Sequence, residues 1–368
     1  MTPFSLLVKP AGPDCNLDCS YCFYRRAADT LPECGFSRMP EEALETMLRK
    51  YLGLGFRNAV FGWQGGEPAL AGLDFFRRVT ELQERFASPG TVIGNGFQTN
   101  GTLIDPEWAR FLSEKRFLVG LSLDGPREIH DKYRKDISGS GSWVSVMSAA
   151  EHLRSARAEF NILCLVTDAN AEQPDEVWDF FRSSGFRHLQ FIPCFETDKI
   201  KGGLKSFALR PVQWTGFLKR TFDLWYNGGH PEVSVRFFDS CLAYFARHPA
   251  PDCEGLPRCS SYLLIERNGD VYPCDFFVRP EWRIGNVLET DFASLRRHPT
   301  ALKFAGLKGE TSRACGSCDL LGLCAGGCTR FRMFGSASAR NLNYYCESVK
   351  EFFVHAGDRL RSLARRLG

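Results

Sequence analysis

An α/β fold on a parallel sheet or barrel, followed by an irregular cysteine-rich region, is what this 368-residue sequence predicts. Three observations predict it. Apolar strands alternate with amphipathic helices from about 57 to 194, the alternation stops after about 211, and eight cysteines then crowd between Cys253 and Cys346. Alternation of this kind winds βα units around a parallel sheet, with the chemistry at the C-terminal ends of the strands.

A short strand at 6–8 opens the series. Apolar runs at 59–63, 92–98, 117–123, 160–166 and 188–193 follow, each ending in a polar or glycine-bearing turn, as buried parallel strands do. Between them Leu73, Phe76, Val79, Leu82 and Phe86 recur at helical spacing. Asp105-Pro106-Glu107 reads as an N-cap with proline at the first helical position. Gly185 follows Val177, Trp178 and Phe181 where a C-cap belongs. A helix is expected over 212–226, and Gly228-Gly229-His230-Pro231 breaks it at the expected domain boundary. Strands at 262–267 and 271–273 flank Asn268-Gly269, a hairpin signal. The region beyond 211 is otherwise expected to be irregular, organised by metals rather than by a large apolar core.

Lys and Arg number 46 against 43 Asp and Glu, a formal charge of +3 with no basic run, so no nucleic-acid partner is expected. The one basic stretch, 359–366, reads as a solvated helix face. No segment approaches the ~20 apolar residues that span a bilayer, and Met1-Thr2-Pro3-Phe4-Ser5 has no charged n-region. A cytoplasmic protein without a membrane partner is the expectation. Fifteen cysteines without an export signal, and an odd total, argue against disulfides and for metal.

Cys15, Cys19 and Cys22 form Cys-x3-Cys-x2-Cys. Three thiolates in one loop suit three irons of a 4Fe-4S cube and leave the fourth iron for an exogenous ligand. Structural zinc, the plain alternative, wants four closed ligands, and the nearest histidine is His130. Downstream, Cys253, Cys259, Cys274, Cys315, Cys318, Cys324, Cys328 and Cys346 are the number needed to ligate two further clusters; two zinc sites are the alternative. Cys34, Cys164, Cys194 and Cys241 fit neither set, and Cys164, within a strand, reads as a small core hydrophobe.

The N-terminal spacing, with Tyr21 just before the last cysteine, resembles the radical S-adenosylmethionine (SAM) superfamily. Gln64-Gly65-Gly66-Glu67-Pro68 directly after a strand resembles that family's SAM-binding turn. The resemblance implies a partial (β/α)6 barrel in which Tyr21, Gly65, Gly66 and Glu67 serve the cofactor, Ser122 and Arg134 contact SAM, and Phe195 borders its adenine. Cys315-x2-Cys318-x5-Cys324-x3-Cys328 resembles the iron–sulfur SPASM domain. It implies a first auxiliary cluster on Cys253, Cys259, Cys274 and Cys328, and a second on Cys315, Cys318, Cys324 and Cys346. The radical SAM domain is expected over 1–230 and the SPASM domain with a C-terminal helix over 231–368.

Leu6-Leu7-Val8-Lys9-Pro10, Gln98-Thr99-Asn100-Gly101-Thr102-Leu103-Ile104-Asp105, Leu121-Ser122-Leu123-Asp124-Gly125-Pro126, Val271-Tyr272-Pro273-Cys274-Asp275-Phe276 and Asn343-Tyr344-Tyr345-Cys346 are similar to one subfamily, the anaerobic sulfatase-maturating enzymes. Pro193-Cys194-Phe195-Glu196 departs from its pattern. This resemblance implies oxidation of a sulfatase cysteine or serine, in a Cys/Ser-x-Pro-x-Arg segment, to formylglycine. A 5′-deoxyadenosyl radical would abstract a Cβ hydrogen, Asp275 would act as base, and an electron would pass to an auxiliary cluster. The cofactors implied are three 4Fe-4S clusters and SAM, with an electron donor such as flavodoxin or ferredoxin. Tyr24 and Gln64 are expected to face the substrate. The alternatives are a SPASM-type enzyme that cross-links or epimerises a peptide, and a zinc-stapled binding protein.

Overall fold

The computed structural model describes residues 1–24, 37–198, 203–249, 252–332 and 341–367. Ten strands are placed in it: β1 (Ser5–Val8), β2 (Asn58–Trp63), β3 (Val92–Thr99), β4 (Phe117–Ser122), β5 (Phe160–Val166), β6 (His188–Pro193), β7 (Ser234–Val235), β8 (Tyr262–Ile265), β9 (Asp270–Tyr272) and β10 (Gly285–Asn286). Six of them fall where the alternating apolar runs lie. The strand Ser234–Val235 was not expected; two residues carry no periodicity to read.

Contacts divide the chain into two compact units that interleave in sequence. The first comprises Met1–Ser122, Arg134–Phe160 and Cys259–Gly306. Its strands run in the order β10-β9-β8-β1-β2-β3-β4. β1 through β4 pair in parallel, and β8 pairs in parallel with β1, with Leu6 against Leu263 and Val8 against Ile265. The hairpin turn at Asn268-Gly269 returns the chain antiparallel as β9, and Gly269 takes the positive φ of 83° that the turn requires. Helices Glu41–Leu52, Leu73–Phe86, Pro106–Glu114 and Trp143–Ser155 belong to this unit. Asp105 caps the third, its Oδ1 accepting from Trp108 N at 2.8 Å. The core is aromatic. Trp63, Phe76, Phe97 and Phe117 are fully buried, with ring centroids of Phe76 5.5 Å from Trp63 and 5.1 Å from Phe97.

The second unit comprises Leu123–Tyr133, Asn161–Arg258 and Leu307–Gly368, with parallel strands in the order β5-β6-β7. Here the expectation of an irregular, metal-organised region needs correcting. Helices Pro211–Tyr226, Arg236–Phe245 and Cys346–Leu367 pack a true apolar core, in which Phe222 meets Phe238 at 5.3 Å and Phe352 at 5.5 Å, and Phe238 stacks on Phe352. The basic stretch is likewise more than a solvated face. Arg359 lies 4.7 Å from the Phe222 ring centroid and 2.8 Å from Asp223, and Arg361 pairs with Asp358. Among the described residues, no helix is long and apolar enough to cross a membrane.

Candidate functional site

Three segments of the first unit fix the loop that carries Cys15, Cys19 and Cys22. The turn after β2 zips onto the residues just before Cys15: Gly66 N donates to Gly12 O and Glu67 N to Asp14 O, both at 2.8 Å. A Cβ on Gly66 would sit 2.0 Å from Asp14 O, so only glycine allows that approach. The chain after β3 supplies Asn100, whose Nδ2 donates to Asn16 Oδ1 at 2.9 Å and to Cys15 Sγ at 3.6 Å. From the third side, Asp18 N donates to Lys135 O at 2.7 Å and Leu17 forms a bridge with Asp136. Arg134, next to that bridge, holds its guanidinium 5.4 Å from the ring centroid of Tyr21.

Glu67 is fully buried and accepts from Ala69 N (3.0 Å), Thr99 Oγ1 (2.8 Å) and Asn100 N (2.7 Å). It therefore welds the glycine turn to β3. Burial raises its carboxyl to about 7, against the lowering by those hydrogen bonds. Burial likewise pushes the Cys15 thiol up to about 11.

A second cluster of polar groups surrounds Asp275. Gln64 Nε2 donates to Asp275 Oδ2 at 3.1 Å, and the Tyr262 hydroxyl lies 2.8 Å from Oδ1 and 3.1 Å from Cys274 Sγ. The carboxylate is thus gripped from both sides, one residue from a cysteine. Tyr24 is buried, and its hydroxyl donates to Glu266, 2.6 and 2.8 Å from the two carboxylate oxygens. The Lys9 ammonium lies 3.2 Å from the centroid of the Tyr24 ring. Tyr262, Glu266, Lys9 and Asn100 were given no site role from the sequence, although Lys9 and Asn100 lie within the stretches that carry the subfamily resemblance. A lone Lys or Glu after a strand is an ordinary solvated residue by pattern, and only the pairing of β1 with β8 brings these two together.

Ser122 is buried at the end of β4. Phe195 belongs to the second unit, buried against Phe331, Tyr344 and Tyr345 at 5.2, 5.4 and 6.2 Å, while Arg330 donates to its carbonyl and pairs with Glu196. Cys259 and Cys274 lie in the first unit, and Cys253 and Cys328 in the second. Cys315, Cys318, Cys324 and Cys346 line one pocket of the second unit, together with Leu320, Leu321 and Val349. Arg332 fixes the turn after Cys324, donating to Gly326 O, Ala325 O and Lys308 O at 2.7–2.9 Å. Cys164 is fully buried in β5, Cys194 and Cys241 are buried, and Cys34 lies outside the described residues.

Donor chemistry decides what these cysteines fit. The loop offers three thiols and the pocket four, none of them disulfide-bonded. Among the described residues, no three Cys, His, Asp or Glu side chains converge as ligands of a single ion. All-sulfur sets spread over a loop and around a pocket suit iron–sulfur clusters, with one iron left open at the loop.

Comparison with known proteins follows the same lines. The radical SAM superfamily profile matches residues 10–181, and that of an iron–sulfur cluster-binding domain, SPASM, matches 253–319. The chain is 41% identical to a cysteine-type anaerobic sulfatase-maturating enzyme of Clostridium perfringens, over 100% of both chains. It is 33% identical to a serine-type anaerobic sulfatase-maturating enzyme of Bacteroides thetaiotaomicron, over 99% of this chain and 92% of that one. Its structure is similar to native anSMEcpe with bound AdoMet and Cp18Cys peptide, with a TM-score of 0.92, 41% identity and full coverage of both chains. Streptococcus suis SuiB bound to precursor peptide SuiA shares the fold, with a TM-score of 0.66 at 19% identity over 94% of this chain and 76% of that one.

Proposed function

Because this chain belongs to the anaerobic sulfatase-maturating enzymes, radical SAM proteins with a C-terminal SPASM domain, we propose that it oxidises an active-site cysteine or serine of a sulfatase to formylglycine. The observation that carries the reading is the Asp275 carboxylate, held by Gln64 and Tyr262 and adjoining Cys274. When bound, the loop cluster and SAM supply a radical able to take a hydrogen atom from the substrate Cβ.

Asp275 is the base that accepts the thiol or hydroxyl proton. Gln64 and Tyr262 hold one carboxylate oxygen each, so the base meets the substrate in a fixed orientation. Cys274, the neighbour of Asp275 in the chain, would help hold the proposed first auxiliary cluster, which would supply an acceptor for the second electron. Removing one hydrogen atom, one proton and one electron from a cysteine side chain leaves a thioaldehyde, which water converts to the aldehyde and sulfide. A serine side chain gives the aldehyde directly. Gly65, Gly66 and Glu67 shape the SAM-binding turn, Tyr21, Ser122 and Arg134 complete that side, and Phe195 is assigned to the adenine. Gln64 faces the substrate, whereas Tyr24, buried with its hydroxyl on Glu266 and the Lys9 ammonium on its ring, supports the site from behind, which corrects its expected place as a substrate contact.

A cysteine target is supported by 41% identity to a cysteine-type relative against 33% to a serine-type one. The substrate is a Cys/Ser-x-Pro-x-Arg segment, the electron donor a small carrier such as flavodoxin or ferredoxin, and the setting the cytoplasm. Division of labour at about 230, SAM chemistry before it and auxiliary clusters after it, is a division of function; the compact units interleave across it.

Mass spectrometry of such a peptide tests the reading in the reconstituted protein. Loss of sulfur with aldehyde reactivity, and transfer of deuterium from Cβ to 5′-deoxyadenosine, are expected. Label from Cα, or a product two mass units lighter that keeps its sulfur, would move the assignment to cross-linking or epimerising enzymes. Asp275→Asn keeps the shape and removes the base, so formylglycine yield should fall by ~10²-fold or more while SAM cleavage survives better. An unchanged yield would make the carboxylate structural.

A further inference from the structure

Lys9 and Glu266 are the first residues past β1 and β8, and the parallel register that sets Val8 against Ile265 brings both to the same edge of the sheet. Lys9 N donates to Ile265 O at 2.9 Å, and Gln64, first past β2, donates its backbone N–H to Val8 O at 3.0 Å. Three neighbouring strands thus end in a lysine, a glutamine and a glutamate. Gln64 grips the base. The other two have no part in the proton transfer, yet both are 1% exposed.

Placing an ammonium and a carboxylate in a protein interior costs more than filling the same volume with apolar groups, so packing alone does not account for them. Their geometry is specific. The Lys9 ammonium is pressed on the Tyr24 ring, 3.2 Å from its centroid and 5.8 Å from that of Phe23, and Glu266 holds the Tyr24 hydroxyl through both carboxylate oxygens. Tyr24 follows Cys22 by two residues and packs in a buried cluster that Cys22 and Phe23 flank. Burial is the largest influence on the Lys9 ammonium and lowers its pKa, while Glu266, Asp275, Cys22 and Cys274 each act in the opposite direction and favour the charged form. Each of the four is acidic, and two are proposed cluster ligands.

We propose that Lys9 is the fixed counter-cation of this site, a positioning residue whose charge, clamped on Tyr24 and balanced by Glu266, favours the reduced state of the clusters held by Cys22 and Cys274. The inference rests on the preceding reading for the identity of those ligands. Its physics is simple. A cluster that gains an electron gains negative charge, and a buried cation nearby in a low-dielectric wall stabilises that state over the oxidised one.

The test is a potentiometric titration of the reconstituted holoenzyme, followed by the electron paramagnetic resonance of its reduced clusters. Lys9→Met should shift the midpoints to more negative potential, Lys9→Arg should restore them, and Glu266→Gln should shift them the other way. General loosening of the fold does not produce opposite signs. Unshifted midpoints in Lys9→Met with a full iron content, or shifts of the same sign in Lys9→Met and Glu266→Gln, would overturn the inference. If Lys9→Met fails to load iron, Glu266→Gln decides alone, a positive shift supporting the role and no shift overturning it. In peptide turnover, kcat should fall about tenfold with KM unchanged. Potentials are read without substrate, so shifts of the expected sign in a protein that makes no formylglycine would sink the proposed reaction and leave this inference standing.

Discussion

The loop of Cys15, Cys19 and Cys22 and the pocket of Cys315, Cys318, Cys324 and Cys346 both gather thiols, but they are built differently. Main-chain bonds from 12–14 and 135 brace the loop, and Asn100 ties it to the end of β3 through side chains. It presents three sulfurs, so a four-iron cluster held there would keep one position open to a ligand that must come and go. The pocket gathers four sulfurs among leucines, and one buried arginine, Arg332, ties its turn to neighbouring carbonyls. A saturated set in apolar surroundings suits a centre that exchanges electrons only. The number of sulfurs, together with what the surrounding atoms leave open, separates a chemical centre from a relay.

Removing each thiol set in turn is the harshest test of that contrast. Replacing Cys15, Cys19 and Cys22 by alanine should remove about four of about twelve irons and abolish SAM cleavage. Replacing Cys315, Cys318 and Cys324 should also remove about four irons, yet leave SAM cleavage measurable while product formation is lost. Equal loss of cleavage in both variants, at equal helix content by circular dichroism, would erase the distinction.

A smaller perturbation probes the bracing of the loop. In Gly66→Ala the new Cβ meets Asp14 O, so the turn must separate from residues 12–14. SAM cleavage should drop by ~10²-fold or more with the iron content of the C-terminal pocket retained, since misplacement by about 1 Å is enough for such a loss. On the pocket side, Arg332→Lys leaves the Ala325 and Gly326 carbonyls without their donors. A stability loss of about 3 kcal/mol, seen as a lower denaturation midpoint, is expected.

The mildest test uses pH. Glu67 binds its proton more tightly in the folded chain, because burial raises its carboxyl from 4.5 to about 7. Its contribution to stability is therefore complete below about pH 4.5 and is lost as pH rises through about 7, a change on the order of 3 kcal/mol at most. Thermal melts of the cluster-free protein should show this slope, and Glu67→Gln should flatten it. Parallel pH profiles for the two proteins would assign the slope to other groups.

Much of this was legible in the sequence, for identifiable reasons. Buried parallel strands announce themselves as short apolar runs, and β2 through β6 fall at 59–63, 92–98, 117–123, 160–166 and 188–193 to within a residue or two. Cysteine spacing carried the grouping of Cys315, Cys318 and Cys324, and the glycine pair carried the turn that closes on Asp14. What stayed hidden depends on register between distant segments. Nothing near Lys9 says that Glu266 is its neighbour, and nothing near Gln64 says that it reaches Asp275. The aromatic core of Phe222, Phe238 and Phe352 was obscured for a different reason: its third helix is separated from the first two by cysteine-rich sequence that draws attention to metals.

The pairing of β1 with β8 has a consequence for the birth of the protein. Ser5 and Ser261, joined by a hydrogen bond across these strands, are 256 residues apart. At about 5–20 residues per second, a ribosome leaves the edge of β1 uncovered for on the order of 10–50 s before its partner is even synthesised. Throughout that interval an apolar strand with free backbone donors stands open to pairing with other chains. Glu266, which holds Tyr24 beside the cysteine loop, emerges later still. Folding of the first unit is thus necessarily late, and iron delivered to the loop before then meets a binding site with one wall missing. A shortened chain ending near 230 would keep this unfinished condition permanently, so the nascent protein and its truncated form share a need for protection that the full-length fold does not.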